Sequence, residues 1–76
     1  MFNTRAIVDV CRIIQHLIRG NDAKVHRYIA DLQFIVHNED LSKMSAHTRY
    51  AIEHTFAMID AYLKGERIPS IAHAHA

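Results

Sequence analysis

The sequence predicts an all-α protein, a small three-helix bundle with a short C-terminal tail. Apolar residues recur at helical spacing in three segments, and no stretch alternates between apolar and polar residues as a strand would. Short polar connections separate the three segments, which is typical of a helical bundle. A chain of 76 residues is long enough for one domain. We therefore expect a single helical domain over residues 1–68, with helices at about 4–19, 22–37 and 43–64, and a flexible tail over 69–76.

The first helix is predicted over residues 4–19. Asn3 or Thr4 can cap its start, and Gly20 suits a left-handed residue just past its end. A polar stripe runs opposite the apolar face and includes Arg5 and Arg12. The apolar face comprises Ile7, Val10, Cys11, Ile14, Leu17 and Ile18.

The second helix is predicted over residues 22–37, with Asn21 or Asp22 as its cap. Phe34 lies on a flank of the predicted apolar face, and Arg27 and Asp31 form a possible pair four residues apart on the opposite side. The apolar face comprises Val25, Tyr28, Ile29, Leu32, Ile35 and Val36.

The third helix is predicted over residues 43–64. Ser42 and Ser45 are both credible caps, so a short turn can precede a main helix that starts at Ser45, and Gly65 closes the segment. Two pairs of opposite charge are expected on the exposed side, Arg49 with Glu53 and Asp60 with Lys64. The central apolar stripe is expected to be Ile52, Phe56, Ile59 and Leu63, widened by Met44, Ala51, Thr55, Met58 and Tyr62.

Composition excludes several classes of protein. Nine basic residues balance eight acidic ones, so the chain lacks the clustered positive charge of a non-specific nucleic-acid binder. A single cysteine allows no internal disulfide, and every apolar run is broken by charge well before membrane-spanning length. No secretion signal is recognisable at the N-terminus. These observations predict a cytoplasmic protein that contacts neither nucleic acid directly nor a membrane.

No grouping of side chains predicts catalysis or a cofactor. Cys11 falls within the apolar face of the first helix, where burial raises the pKa of a thiol and makes it inert. Among the seven histidines, His47 and His54 are seven residues apart, about 10.5 Å along a helix and too far for one metal ion. His73 and His75 in the tail have no third ligand nearby in the sequence. We therefore expect that the protein is not an enzyme and binds neither a cofactor nor a metal ion. The alternative is a metal-responsive protein that binds its metal through histidines.

The apolar content is high for so short a chain. Half of its residues are apolar, whereas a domain of this size buries only about 60% of the surface that its unfolded chain exposes. Four flanking residues are hard to bury within three helices, namely Val8, Ile13, Phe34 and Tyr62. We expect another protein, or a second copy of the chain, to cover such surface, and we expect the partner-binding residues to be Glu53, Arg49, Arg5, Arg12, Phe34 and Tyr62.

One alternative places the binding site at the start of the third helix. The polar segment 45–50, Ser-Ala-His-Thr-Arg-Tyr, is similar to the start of a DNA-recognition helix. A homodimeric DNA-binding regulator that uses Ser45 to Tyr50 is therefore a second hypothesis. The expected glycine-containing tight turn is missing, and the polar run Asn38-Glu39-Asp40, with its two carboxylates, would repel phosphate.

A segment of about thirty residues resembles a known family. Glu53-His54-x-x-Ala57-x-Ile59, followed by the segment 66–70 with the sequence Glu-Arg-Ile-Pro-Ser, is similar to the C-terminal part of the Hha/YmoA family of small helical transcription modulators. Leu41-Ser42 is similar to the dipeptide that precedes the same helix in that family. The family's basic motif around its cysteine is not recognisable here, and Ile71 stands where the family has tryptophan. The resemblance implies an adaptor that binds the dimerisation domain of a nucleoid-structuring protein, with Glu53 contacting arginine on that partner.

From these observations we expect a small non-enzymatic protein-interaction module that binds and modulates a larger protein. A regulatory adaptor or inhibitor of bacterial or mobile-element origin fits the size of the chain and its exposed apolar helix flanks. Charged residues at the rim of such a surface would orient the partner.

Overall fold

The computed structural model describes residues 3–65 and is an all-α three-helix bundle, as the sequence predicts. Helix α1 spans Thr4–Arg19, helix α2 spans Val25–Asn38 and helix α3 spans Ala46–Leu63. A 3₁₀ turn, Leu41–Lys43, precedes α3, and no strand occurs within residues 3–65. The predicted tail at 69–76 and the predicted domain end at residue 68 lie outside the described residues.

Helix α1 has the predicted bounds. Its cap is Asn3, whose Oδ1 accepts a hydrogen bond from the backbone N–H of Ala6 at 2.7 Å. The left-handed residue at its end is Asn21, with φ 51°, whereas Gly20 has φ −86°. The prediction that Gly20 is the left-handed residue is therefore wrong, since this conformation occurs one position later. Asparagine is the residue other than glycine that most readily adopts this conformation.

Helix α2 begins three residues later than predicted. The expected cap, Asp22, accepts a hydrogen bond through Oδ1 from the backbone N–H of Lys24 at 2.9 Å. This bond closes a turn instead of a helix, because aspartate side chains compete for nearby backbone donors. The chain enters the helical conformation at Val25.

Helix α3 begins at Ala46, so the predicted start at residue 43 is too early and Ser45 is the cap of the main helix. Ser45 Oγ accepts a hydrogen bond from the backbone N–H of Thr48 at 3.2 Å. The preceding 3₁₀ turn has its own cap, since Asp40 Oδ1 accepts from the backbone N–H of Ser42 at 3.0 Å. Gly65 has φ 77° and closes the segment as predicted.

Helix α1 lies at the centre of the arrangement. Both α2 and α3 pack closely on α1, and their backbones lie closer to α1 than to each other. The start of α1, the end of α2 and the start of α3 line one cavity of about 400 Å³, so the helices run up, down and up. At the other end, the rings of His26 on α2 and Tyr62 on α3 lie 5.8 Å apart between centroids.

The core lies along one stripe of α1, formed by Ile7, Cys11, Ile14 and Ile18. Leucine and β-branched residues of α2 complete it from one side, and α3 completes it from the other. The remaining core residues are Val25, Ile29, Leu32, Ile35, Ile52, Met58 and Ile59.

The buried stripe of α3 is turned relative to the predicted one. Thr48 and Thr55 are fully buried, whereas Phe56 is half-buried and Leu63 is 58% exposed. Thr48, Ala51 and Thr55 follow one another at helical spacing, so their small side chains form one line along α3. This line allows α3 to approach α1 closely.

A partly buried polar pair joins α1 to α3. Gln15 Nε2 donates a hydrogen bond to Thr55 Oγ1 at 2.8 Å, and Thr55 Oγ1 donates to the backbone oxygen of Ala51 at 2.7 Å. Within residues 3–65, every buried side-chain nitrogen and oxygen has a hydrogen-bond partner. The pair therefore fixes the register of the two helices without leaving a buried polar atom unsatisfied.

Two neighbouring isoleucines on α1 test this packing. Ile14 is fully buried, so Ile14→Ala should lower the free energy of unfolding by about 2–5 kcal/mol, because it removes buried methyl groups and leaves a cavity. Ile13 is 39% exposed, so Ile13→Ala should change it by less than about 1 kcal/mol. Urea denaturation monitored by circular dichroism measures both. Equal losses of unfolding free energy in the two variants would contradict the assignment of Ile14 to the buried side of α1 and of Ile13 to its exposed side.

Candidate protein-interaction surface

An open apolar groove lies between α1 and α2. It has a volume of about 390 Å³. Its lining is Ala6, Val10, Asp31, Phe34 and Ile35. We refer to these five residues as the α1–α2 groove.

Two exposed apolar side chains accompany this groove. Phe34 is 59% exposed and forms part of the groove wall. Ile13 is 39% exposed, and it lies on the same side of α1 as Ala6 and Val10, because it follows them by seven and three residues. The sequence predicts both residues as flanks that three helices cannot cover. The structure leaves both of them exposed.

A line of arginines runs along another side of α1. Arg5, Arg12 and Arg19 are exposed and follow one another at seven-residue spacing. None of them forms an ion pair within residues 3–65. Arg12 and Arg19 lie one turn before and one turn after Gln15, whose side chain reaches α3. The arginine line therefore borders the α3 side of α1, whereas the groove borders its α2 side.

The other predicted partner-binding residues lie elsewhere. Arg49 and Glu53 are exposed on α3, and they do not form the predicted ion pair with each other within the described chain. Tyr62 is half-buried against His26, near the start of α2. Phe34 follows His26 by eight residues in α2, so it lies about 12 Å from His26 along the helix axis. The structure thus does not gather the six predicted residues into one surface.

Two expected charge pairs have different outcomes. Lys64 Nζ lies 3.0 Å from Asp60 Oδ2, as predicted. Arg27 and Asp31 form no ion pair in the part of the chain that the structure describes. Asp31 instead lines the α1–α2 groove, and the sequence gives no sign of this role.

Some exposed apolar surface was not predicted. Tyr50 on α3 is 76% exposed, and Leu63 was expected in the central stripe but is exposed. Conversely, Val8 and Tyr62 were expected to resist burial, yet both are half-buried. The helical period alone could not reveal these differences, because it does not show how each helix is rotated against its neighbours.

The start of α3 is organised by its cap. Ser45 Oγ lies 3.0 Å from Thr48 Oγ1, and Thr48 is fully buried. His47, Arg49 and Tyr50 remain exposed there. Of the predicted recognition segment 45–50, therefore, Thr48 alone is buried, and His47, Arg49 and Tyr50 are its large exposed side chains.

No metal centre is formed by the residues that the structure describes. Histidines 16, 26, 37, 47 and 54 are all exposed, and no three ligand-type side chains among residues 3–65 converge on one point. His73 and His75 lie outside the described residues. Within the same range, no helix is long and apolar enough to cross a membrane.

Cys11 is fully buried in the core, as predicted. Burial raises the pKa of its thiol above the ordinary value of 9.0, because the thiolate would lose its hydration. A hydrogen bond with the side chain of Thr55 opposes this shift and is the smaller effect. The thiol therefore belongs to the α1–α3 contact and is closed to reagents in the folded protein.

Comparison with known protein families, with curated proteins and with solved structures finds no match for this chain. The resemblance to the Hha/YmoA family thus stays a prediction from the sequence. Its Leu41-Ser42 lies in the 3₁₀ turn and its Glu53–Ile59 segment lies in α3. Its segment 66–70 lies outside the described residues.

The pKa of Cys11 predicts a pH dependence of stability. The unfolded chain ionises near the ordinary pKa, whereas the folded chain holds the proton to higher pH. The free energy of unfolding should therefore be unaffected by this group below about pH 8 and should fall as the pH rises above 9.

Urea denaturation of the wild type and of Cys11→Ala between pH 7 and 10.5 measures this dependence. Subtraction of the Cys11→Ala curve isolates the thiol, since all other ionisable groups are common to both proteins. The raised pKa of Cys11 would be contradicted if the free energy of unfolding of the wild type, relative to that of Cys11→Ala, increased as the pH rises above 9.

Proposed function

We propose that this protein is a non-enzymatic interaction module that binds and modulates a larger protein, and that the partner docks on the α1–α2 groove. The observation that carries the proposal is the exposure of Phe34 and Ile13 beside an open apolar groove. Contiguous exposed apolar surface on a small protein commonly marks a protein-binding site. An aromatic residue at the edge of such a groove is a frequent anchor of binding energy.

The occupant that fits best is an amphipathic helix of the partner. The groove lies between two helices, and its α1 wall presents Ala6 and Val10, with Ile13 three residues further on the same side of α1. A helix carries its own apolar residues at the same spacings, so it can lie along this wall. The apolar side chains of that helix would cover Phe34 on the opposite wall.

A different protein fits this surface better than a second copy of the chain. The exposed side of α1 carries three arginines and one acidic residue, Asp9. A symmetric dimer built along α1 would bring these arginines close to their equivalents, and like charges at an interface oppose association. A partner with acidic residues at the rim would not incur this repulsion.

A binding role also agrees with the burial of the Cys11 thiol. Cys11 is enclosed in the core and its pKa is raised, so it is not activated as a nucleophile. An adaptor or an inhibitor requires surface complementarity alone. We assign the chain to this class and take the regulation of its partner as the consequence of docking.

Substitution in the groove tests the proposal. Phe34→Asp should abolish capture of the partner from a lysate of the producing cell, because it places a charge in the apolar contact, and it should leave folding unchanged because Phe34 is exposed. Leu63→Asp is the matched control, since Leu63 has almost the same exposure but lies on α3. Quantitative mass spectrometry of proteins held by immobilised wild type and by both variants measures the outcome.

Sedimentation equilibrium of the purified protein completes this test. We expect a monomer at micromolar concentration. A dimer that Phe34→Asp dissociates would show that a second copy occupies the groove. Partner capture that survives Phe34→Asp and fails with Leu63→Asp would show that the groove is not the docking site.

A further inference from the structure

We infer that a second surface of this protein, on the α1–α3 side of the bundle, binds an α-helix with acidic residues along both of its flanks. The surface consists of two rows of exposed side chains, Arg5, Arg12 and Arg19 on α1 and His47 and His54 on α3. We refer to these five residues as the α1–α3 basic surface. The inference goes beyond the proposed function and does not rest on it, because the α1–α2 groove lies on another side of α1.

The contact between α1 and α3 places the two rows on one side. The side chain of Thr55 faces α1, where it hydrogen-bonds with Gln15 at 2.8 Å and with Cys11. The two helices are parallel, since their starts line the same cavity. In parallel helices that face each other, the residue after the contact on one helix and the residue before it on the other point to the same side, because consecutive residues are about 100° apart. Arg12 follows Cys11 and His54 precedes Thr55, so both point to the same side.

The two rows also share their spacing and their height. Arg5 and Arg12 are seven residues apart on α1, as are His47 and His54 on α3, and seven residues rise about 10.5 Å. Because the contact of Thr55 fixes the relative height of the two helices, His54 lies near the height of Arg12 and His47 near that of Arg5. The axes of packed helices are about 8–10 Å apart, so these four residues mark the corners of a rectangle of about that width.

Helix α2 leaves this side of the α1–α3 pair open. Val10 immediately precedes Cys11 and lines the α1–α2 groove, so α2 packs on the side of α1 opposite to Arg12. None of the five side chains of the basic surface forms an ion pair within residues 3–65. Val8 and Ala51, both half-buried, lie between the two rows, three or four residues from the members of each. The surface is therefore a shallow open channel with a small apolar floor and basic rims.

The neighbouring carboxylates lie outside this channel. Glu53 comes two residues before Thr55 and points about 160° away from α1. Asp9 lies on the side of the arginine row that is away from α3, since it follows Arg5 by four residues and precedes Arg12 by three. The formal charge of +1 is thus distributed unevenly over the chain, and the α1–α3 basic surface is a positive side of the bundle.

An acidic helix matches both rows. It would lie over Val8 and Ala51 as a further helix of the bundle, with its axis about 8–10 Å from those of α1 and α3. Its flanking positions then lie over the two rows, as the charged positions do beside the apolar seam of a coiled coil. Glutamates at every seventh position repeat at about 10.5 Å, which is the interval within both rows. The bound helix therefore carries small or apolar residues on its contact line and carboxylates on both flanks.

The histidine row makes this binding depend on pH. Histidine side chains gain a positive charge as the pH falls from 8 to 5. His47 and His54 face Arg5 and Arg12 across the channel, Tyr50 lies one turn from both on α3, and α2 lies on the other side of α1. A flank of carboxylates should therefore bind the histidine row more tightly as the pH falls from 8 to 6.

A nucleic acid fits this surface less well. Phosphates follow one another every ~3.4 Å along a DNA strand, whereas the arginines repeat every ~10.5 Å. Val8 and Ala51 would gain nothing from a phosphate backbone. An acidic helix uses both the basic rims and the apolar floor.

Three synthetic 21-residue helices serve as probes. Each has alanine and leucine on its contact line, and both flanking positions of every heptad are glutamate in the first peptide, glutamine in the second and lysine in the third. Fluorescence anisotropy at pH 6.5 and 50 mM salt measures each Kd, at peptide concentrations where the peptide alone is monomeric. We expect the glutamate peptide to bind about tenfold more tightly than the lysine peptide, because several exposed ion pairs act together although each is weak.

Charge reversal on α1 identifies the arginines responsible. The triple variant Arg5→Glu, Arg12→Glu and Arg19→Glu should bind the lysine peptide more tightly than the glutamate peptide. A second variant with glutamine at the same three positions should lose most of the preference, and it serves as the test if the charge-reversed chain does not fold by circular dichroism. The control carries Arg27→Glu and Arg49→Glu and should keep the wild-type preference, since these exposed arginines lie on other sides of the bundle.

The pH dependence identifies the histidine row. Between pH 8 and pH 6, the Kd of the glutamate peptide should fall severalfold, whereas that of the glutamine peptide should change little. The double variant His47→Gln and His54→Gln should remove this difference. The control His26→Gln and His37→Gln should keep it, since these exposed histidines belong to α2.

Phe34→Asp separates this inference from the proposed function. It should leave the binding of the glutamate peptide unchanged, because Phe34 lies in the α1–α2 groove. If Phe34→Asp abolishes this binding and the arginine variants do not affect it, the acidic helix occupies the groove, so this inference is wrong while the proposed function stands.

Four further results would overturn the inference. They are failure of all three peptides to bind, an unchanged preference in the folded arginine variants, an equal loss of preference in the arginine control, and tighter binding of a 21-base-pair DNA duplex than of the glutamate peptide in the same buffer. A pH dependence that survives in the double variant His47→Gln and His54→Gln would remove the histidine row from the surface.

Discussion

The structure depends on one helix face that two other helices share. The stripe of Ile7, Cys11, Ile14 and Ile18 on α1 supplies the contact for α2 on one side and for α3 on the other. The backbones of α2 and α3 each lie closer to α1 than to each other, so this stripe is the surface on which both of them pack. Burial of this stripe is therefore the condition for forming the bundle, and it also determines which residues of α1 stay outside.

The hydrogen bond between Gln15 and Thr55 adds specificity to this apolar contact. Displacement of α3 by one turn relative to α1 would separate the two side chains and break this hydrogen bond, at a cost of about 0.5–1.5 kcal/mol. The cost stays in this range because Gln15 is half-buried and can bond to water instead, and Thr55 keeps its bond to the backbone oxygen of Ala51. On the same helix, Ile13 lies on the side of α2 and the arginine line borders the side of α3.

Much of the fold could be predicted from the sequence, because α1 has explicit signals at both ends. Asn3 caps its start, and the bounds 4–19 are those observed. The start of α2 could not be predicted so well, since Asp22 can cap a helix or close a turn and only the folded backbone decides between them. The buried side of α3 was predicted in part: Ile52, Thr55, Met58 and Ile59 are buried as expected, whereas Leu63 is exposed. Thr48 was missed, because threonine carries little hydrophobic weight in a periodic pattern, yet it is fully buried.

The candidate site was predictable in part. The exposure of Phe34 and Ile13 could be predicted, since three helices cannot bury every apolar residue of so short a chain. The groove beside them depends on how α2 lies against α1, and Asp31 enters it through tertiary packing alone. Arg49, Glu53 and Tyr62 were chosen from charge, resemblance and helix position, and the structure does not bring them to this groove.

Native-state hydrogen exchange tests the shared face of α1 most directly. In low concentrations of urea, the amide protons of residues 7–18 should exchange only through global unfolding, because loss of α1 removes the contacts of both other helices. Their exchange free energies should converge on the value from urea denaturation. Exchange of the α1 amides through a smaller opening, while those of α2 and α3 stayed protected together, would contradict the central role of this face.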